Sequence, residues 1–146
     1  LFEMDKAVFL REGTDLAIIA CGEMVLAAKR AGERLEEKGI YATVIDMYCV
    51  KPLDEEAVLK AAQTGRIITV EEHCPYGGLG SMVSQLTAAK APCRVRNLTL
   101  PDAPVITGKS QEIFDYYGLS EDNIVKVAEE MLGSVAVDNE TVRYAD

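Results

Sequence analysis

The sequence is poor in the residue types that most metal and disulfide sites require. Its 146 residues contain no tryptophan, one histidine (His73) and four cysteines, none of which forms a CxxC pair. A structural zinc ion needs four such ligands, and closely spaced cysteines usually supply some of them. We therefore expect no metal site, and free thiols in a reducing compartment, which favours a cytoplasmic protein.

Long apolar runs and an excess of positive charge are also missing. No stretch of eighteen apolar residues exists, so no transmembrane helix is expected. The N-terminus shows no basic region followed by an apolar one, as a signal peptide would. The net charge of −9 repels phosphate backbones. We expect neither a membrane nor a nucleic acid as a partner.

What the sequence does contain is an alternation of short apolar runs and amphipathic segments. Residues 15–21 form an apolar run, which is typical of a strand buried on both faces. Apolar positions then recur at helical spacing from Met24 to Leu35, and Gly39 ends the segment. Further strands are predicted at 41–46, 66–71 and 93–100, with an edge strand at 6–11. Further helices are predicted near 54–63, with Asp54 as the N-cap, and near 79–86, 111–117 and 120–133.

This order of elements predicts a three-layer α/β fold. We expect an open, twisted, mostly parallel sheet of four or five strands with helices on both faces. One domain should cover residues 1–132. Residues 133–146 have little apolar periodicity and are predicted to form a loosely ordered tail.

The stretch VEEHCPYGGLGS, residues 70–81, concentrates residue types found at binding sites. It follows a predicted strand at the carboxyl edge of the sheet, where open α/β folds bind ligands. Its glycines lead into a helix N-terminus, whose N–H groups suit an anion. The candidates for an anion site or an interdomain contact are Glu72, His73, Gly77, Gly78, Gly80 and Ser81.

The glycine spacing matches neither common phosphate-binding pattern. Val83 stands where GxGxxG requires its last glycine, and no GxxxxGK[ST] sequence is present. A tight turn with close helix–sheet packing is the simpler explanation of these glycines. Glu71 and Glu72 precede the predicted helix, and such acids often cap a helix N-terminus.

No catalytic or cofactor-binding residue is assigned from the sequence. Ser81 and Ser110 have no neighbouring histidine to complete a triad. Cys74 follows His73, but adjacent side chains on an extended chain point apart. His73 beside Glu72 suits a general base, whereas a loop histidine is more often a hydrogen-bonding surface group.

Four ordered segments resemble the C-terminal domain of transketolases. They are FEMDKAVFLREGTDLAIIACGEMV, VIDMYCVKPLDEEAVLKAA, TGRIITVEEHCPYGGLGSMVSQ and YGLSEDNIVKVAEEML, which together span residues 2–132. Deoxyxylulose-phosphate synthases and the β subunits of 2-oxoacid dehydrogenases share this domain. The sequence EEH followed by GGLGS is most similar to true transketolases, especially the split bacterial type.

The resemblance implies part of an enzyme that transfers a two-carbon ketol unit between sugar phosphates in carbohydrate metabolism. That family uses thiamine diphosphate and Mg²⁺, which it holds in two other domains, so no cofactor is expected in this chain alone. The resemblance also implies contact with those domains or a companion subunit, and homodimer assembly in the full enzyme. The alternative of a different class is an autonomous module that binds an anion or a partner.

Overall fold

The computed structural model describes residues 2–133, which form one five-stranded sheet with helices on both faces. Residues 134–146, most of the predicted tail, lie outside the described residues. The elements in chain order are β1 (Val8–Arg11), β2 (Leu16–Ala20), α1 (Met24–Glu37), β3 (Ala42–Asp46), α2 (Glu55–Ala62), β4 (Arg66–Val70), α3 (Leu79–Lys90), β5 (Arg94–Leu98), α4 (Ser110–Tyr117) and α5 (Glu121–Gly133).

The strand order is β1-β3-β2-β4-β5. Strands β2 to β5 are parallel, and only β1 runs antiparallel, beside β3. The predicted fold class, a mostly parallel sheet between two helical layers, is confirmed. Within residues 2–133, no helix is long and apolar enough to cross a membrane.

The central strand β2 explains why the sheet needs a helical layer on each side. All five of its residues are fully buried. Leu16, Ile18 and Ala20 face the core formed with α1 and α5, whereas Ala17 and Ile19 face the core formed with α2 and α3. Period-two alternation between two apolar layers is the pattern of a parallel strand covered on both faces.

The parallel strands end level with one another. Ala20 pairs with Asp46 on one side and with Val70 on the other, and Val70 pairs with Leu98. Several predicted strand ends extend one or two residues too far. Their backbone still bonds to the sheet, as in the bond from the Cys21 N–H to the Val70 carbonyl. The loops that follow β2 to β5 therefore emerge side by side, at what we call the carboxyl edge.

Asp54 is the predicted N-cap of α2, and it has a second role. Its Oδ1 accepts a hydrogen bond from the Ala57 N–H at 3.0 Å, which caps the helix. Its Oδ2 accepts one from the Ala7 N–H at 2.9 Å. Only 7% of the residue is exposed. One buried carboxylate thus joins the segment that enters β1 to the start of α2.

Replacing Asp54 by alanine should lower the free energy of unfolding by about 2–4 kcal/mol, because two backbone N–H groups lose their acceptor. Urea unfolding followed by circular dichroism measures this loss. Asp102, which is exposed in a loop, provides the control, and Asp102→Ala should change stability by less than about 0.5 kcal/mol. Equal effects of the two substitutions would contradict the role given to Asp54.

Candidate functional site

The β4–α3 loop, residues 71–78, leaves the carboxyl edge beside the central strand and enters α3 at Leu79. Its first residue, Glu71, is only 3% exposed. The Glu71 carboxylate accepts hydrogen bonds from the N–H of Leu79 at 2.6 Å and from the N–H of Gly80 at 2.9 Å. These are the first two backbone N–H groups of α3, and both already donate to a side chain of the same domain.

The sequence placed Glu72, and not Glu71, among the candidates for an anion or interdomain contact, and it allowed either acid to cap the helix. In the structure Glu72 is exposed, and Glu71 is the carboxylate that reaches the helix N-terminus. The sequence did carry a signal, because Glu71 is the last residue of the predicted strand 66–71. In the structure the Glu71 N–H still bonds to the Leu98 carbonyl. An external anion at the start of α3 would have to displace this side chain.

Three glycines, two in the loop and one in the first turn of α3, serve three different structural needs. Gly77 has φ +76°, a left-handed conformation that favours glycine. A Cβ at Gly78 would lie 2.3 Å from Glu71 Oε2. A Cβ at Gly80 would lie 2.7 Å from the Asn97 side chain on β5. These contacts favour the structural interpretation of the glycines, a tight turn with close helix–sheet packing.

Ser81 and Cys74 hold the loop in shape. The Ser81 hydroxyl accepts a hydrogen bond from the Gly77 N–H at 3.0 Å and donates one to the Pro75 carbonyl at 3.0 Å. The Cys74 thiol donates a hydrogen bond to the Tyr76 carbonyl oxygen at 3.3 Å. The Tyr76 side chain, in contrast, projects from this ordered loop with 69% of the residue exposed.

His73 lies at the surface of the same loop. Its side chain is exposed, and its carbonyl accepts a hydrogen bond from the Leu100 N–H at 2.9 Å. The backbone of His73 therefore links the β4–α3 loop to the segment after β5. Among the described residues the imidazole has no hydrogen bond that would orient it as a general base.

Cys21 lies at the end of β2, beside the same edge. Burial raises the pKa of its thiol to about 11, with a smaller contribution from the neighbouring carboxylates of Glu71 and Asp46. The thiol is therefore protonated at neutral pH and is a poor nucleophile. Burial also raises the pKa of Asp46. This group of side chains does not form an activated cysteine.

The residues of this site do not fit thiamine diphosphate. A diphosphate at the start of α3 would meet the Glu71 carboxylate, which carries the same sign of charge and already occupies two amides. Within residues 2–133, no three His, Cys, Asp or Glu side chains are placed to hold a metal ion. Among the described residues, the site thus offers neither free amide donors at the start of α3 nor a ligand set for the cation that a diphosphate requires.

A family model described as the transketolase C-terminal domain matches residues 5–124. The chain belongs to this family. One subunit of the apulose-4-phosphate transketolase of Phocaeicola vulgatus is 52% identical over 132 residues, which are 90% of this chain and 42% of that protein. The 1-deoxy-D-xylulose-5-phosphate synthase of Heliobacterium modesticaldum is 43% identical over 128 residues, 86% of this chain and 20% of that protein.

A solved structure gives the same assignment. A split gene transketolase, described as an inactive β4 tetramer, has a TM-score of 0.82 and 35% identity. The alignment covers 90% of this chain and 44% of that one. The predicted resemblance to transketolase C-terminal domains is therefore confirmed. The chain spans less than half the length of these transketolase relatives.

Gly78→Val should destabilise the domain by about 1–3 kcal/mol, because the new side chain overlaps a Glu71 carboxylate that two hydrogen bonds hold in place. Thermal or urea unfolding measures the change. His73→Ala is the control on the same loop and should barely change stability, since the imidazole is exposed. An unchanged unfolding midpoint for Gly78→Val would show that Glu71 is not fixed.

Glu71→Gly should destabilise the domain by about 2–4 kcal/mol, because two amides of α3 lose a charged acceptor. Sodium acetate at about 0.1 M should restore part of this loss by supplying a carboxylate to the vacated amides. Glu72→Gly, one residue away and exposed, should show neither effect. Equal acetate responses in the two variants, measured by thermal unfolding, would count against the proposed contact.

Proposed function

We propose that this chain is the C-terminal domain of a split-type transketolase, an enzyme that transfers a two-carbon ketol unit between sugar phosphates. The observation that carries the proposal is the agreement of sequence and fold over 90% of the chain. The apulose-4-phosphate transketolase relative is 52% identical, and the split gene transketolase has a TM-score of 0.82.

Thiamine diphosphate and Mg²⁺ serve the whole enzyme, and other domains hold them. The local chemistry supports this division, because Glu71 fills the amides that a phosphate would use. We infer that the chain alone neither binds the cofactor nor transfers ketol units. The related split gene transketolase, a β4 tetramer, is described as inactive, which agrees with this inference.

The domain's role in that enzyme is assembly. We assign exposed Glu72 and His73 to an interdomain contact and not to an anion site, and Gly77, Gly78, Gly80 and Ser81 to the loop and helix start that present them. In the whole enzyme the domain joins the remaining transketolase domains or a companion subunit, supports a cytoplasmic homodimer and covers part of the substrate approach. Exposed Glu72 and His73 are available for such contacts, while the glycines and Ser81 fix the loop that carries them.

One alternative has specific support, namely the C-terminal domain of a 1-deoxy-D-xylulose-5-phosphate synthase. Identity to the Heliobacterium modesticaldum enzyme is 43% over 128 residues. The transketolase assignment is preferred because identity to the Phocaeicola vulgatus transketolase is higher, at 52% over 132 residues. The two enzymes use the same kind of domain, so a functional exchange of domains discriminates between them.

A chimera tests the proposal. Residues 5–132 of this chain replace the matching part of the Phocaeicola vulgatus transketolase, and this transketolase chimera is assayed with its companion subunit, thiamine diphosphate and Mg²⁺. Ketol transfer should stay within about tenfold of the parent enzyme, equal to about 1.4 kcal/mol of barrier. The equivalent chimera with the Heliobacterium modesticaldum synthase should lose more activity.

The control for this experiment is the 146-residue chain alone. Isothermal titration should detect no binding of thiamine diphosphate with Mg²⁺, and the chain should transfer no ketol unit. Binding at low micromolar concentration would mean that the cofactor site is in this domain. A synthase chimera more active than the transketolase chimera would favour the alternative.

A further inference from the structure

Exposed apolar side chains are concentrated at the carboxyl edge. Nine large apolar residues are exposed among residues 2–133, and seven belong to segments that begin, end or connect elements at this edge. Tyr41, just before β3, lies at the opposite edge. Exposed large apolar residues that share one edge of a domain favour that edge as a contact surface for another protein. The seven residues are Phe2, Met4, Val8, Leu26, Tyr76, Val105 and Ile106.

Tyr76 is the side chain best prepared for such a contact. The residue is 69% exposed, yet the loop beneath it is held by the Ser81 hydroxyl, which bonds to both Gly77 and Pro75. The loop is also tied to the helix by the Glu71 carboxylate. A tyrosine on an ordered loop loses little conformational freedom on binding, which is a property of energetically dominant interface residues.

The chain enters the domain at the same edge. Because β1 is antiparallel, its first residue Val8 pairs with Asp46, the last residue of β3. The preceding segment packs on the loop after β3. The Tyr48 hydroxyl donates to the Glu3 carbonyl at 2.8 Å and accepts from the Glu3 N–H at 3.2 Å. The Phe2 ring lies edge-on to Tyr48, with 4.7 Å between centroids.

The family's domain order indicates one occupant for this edge. This domain is the C-terminal one in its family, and the matched region accounts for 42% of the Phocaeicola vulgatus protein and 44% of the split gene transketolase chain. The remaining polypeptide of such a transketolase reaches this domain through the segment before β1. It is therefore tethered at the edge where Tyr76 and the other exposed apolar residues lie.

We propose that the carboxyl edge is the surface on which the preceding transketolase domain docks, with Tyr76 as its central anchor. The partner surface presents an apolar socket for the ring and a polar group for its hydroxyl. This proposal rests on the proposed function. The first two N–H groups of α3 need no small anionic ligand at this edge, because they already bond to the Glu71 carboxylate.

Two other concave surfaces are weaker candidates. The groove between α2 and α3 has a volume of about 320 Å³ and is lined by residues that include Leu53, Met82 and Leu86. The cavity between α1, α4 and α5 has a volume of about 580 Å³, and its lining includes the ion pair of Arg30 with Glu121. Nothing in the described residues indicates what would cover either of them.

Hydrogen–deuterium exchange compares the isolated chain with the transketolase chimera. Amides of the β4–α3 loop and of residues 101–107 should exchange at least about tenfold more slowly in the chimera. Amides near Tyr41 at the opposite edge should not change. Slower exchange confined to the α2–α3 face, or no slowing at the carboxyl edge, overturns the proposal.

Tyr76→Ser and Tyr41→Ser form a matched pair, because the two tyrosines are 69% and 54% exposed. Neither substitution should change the unfolding midpoint of the isolated chain. In the chimera, Tyr76→Ser should remove most of the protection of the β4–α3 loop, and Tyr41→Ser should remove none. Equal effects of the two substitutions contradict the assignment of Tyr76 as anchor.

The outcomes separate this proposal from the proposed function. An active chimera with an unprotected carboxyl edge refutes the docking surface alone. A protected edge in a chimera without ketol transfer supports the docking surface and counts against the function.

If the chimera does not fold, the chain is mixed with the amino-terminal part of the Phocaeicola vulgatus protein, and unchanged exchange at the β4–α3 loop refutes the proposal. Self-association of the isolated chain that Tyr76→Ser abolishes assigns the face to a second copy and also refutes it.

Discussion

The contact between the Glu71 carboxylate and the first amides of α3 fixes the carboxyl edge of this domain. It joins the end of β4 to the start of the next helix through two short hydrogen bonds in a buried position. A side chain at Gly78 would clash with this carboxylate, because Glu71 Oε2 lies 2.3 Å from the position of a Cβ there. The exposed part of the loop, including Tyr76, is therefore attached to residues that hydrogen bonds hold in place.

The same contact gives this α/β edge a different role from that of a nucleotide-binding fold. Open α/β sheets commonly offer a helix N-terminus to a phosphate at this position. Here a side chain of the domain supplies the negative charge, so the position serves folding. Under the proposed function, the domain uses its carboxyl edge for contact between domains, and the cofactor is held elsewhere in the enzyme.

Asp54 extends this organisation to the entrance of the chain. Its carboxylate caps α2 and also accepts the Ala7 N–H, so the incoming segment is attached to the sheet before β1 begins. The antiparallel direction of β1 then places that segment among the other loops of the carboxyl edge. Two buried carboxylates, Asp54 and Glu71, therefore shape the surface that we assign to contact with the rest of the enzyme.

The sequence by itself determined the fold class, the succession of strands and helices along the chain, the N-cap at Asp54 and the family. These depend on local period, capping chemistry and ordered motifs, all of which can be read along the chain. Strand ends were predicted one or two residues too long, because backbone bonding to the sheet continues past the regular ladder, as at Cys21.

Only the tertiary structure decided the roles of individual side chains in the β4–α3 loop. Glu71 and Glu72 are the same residue type at adjacent positions, and the sequence allowed either to cap α3 while it listed only Glu72 as a contact candidate. The continuation of the predicted strand into Glu71 was a signal that this residue is buried. That its carboxylate reaches the first amides of α3 depends on how the helix packs, which no local pattern encodes. The close approach of Gly78 to Glu71 and of Gly80 to Asn97 likewise depends on how the helix packs against the sheet.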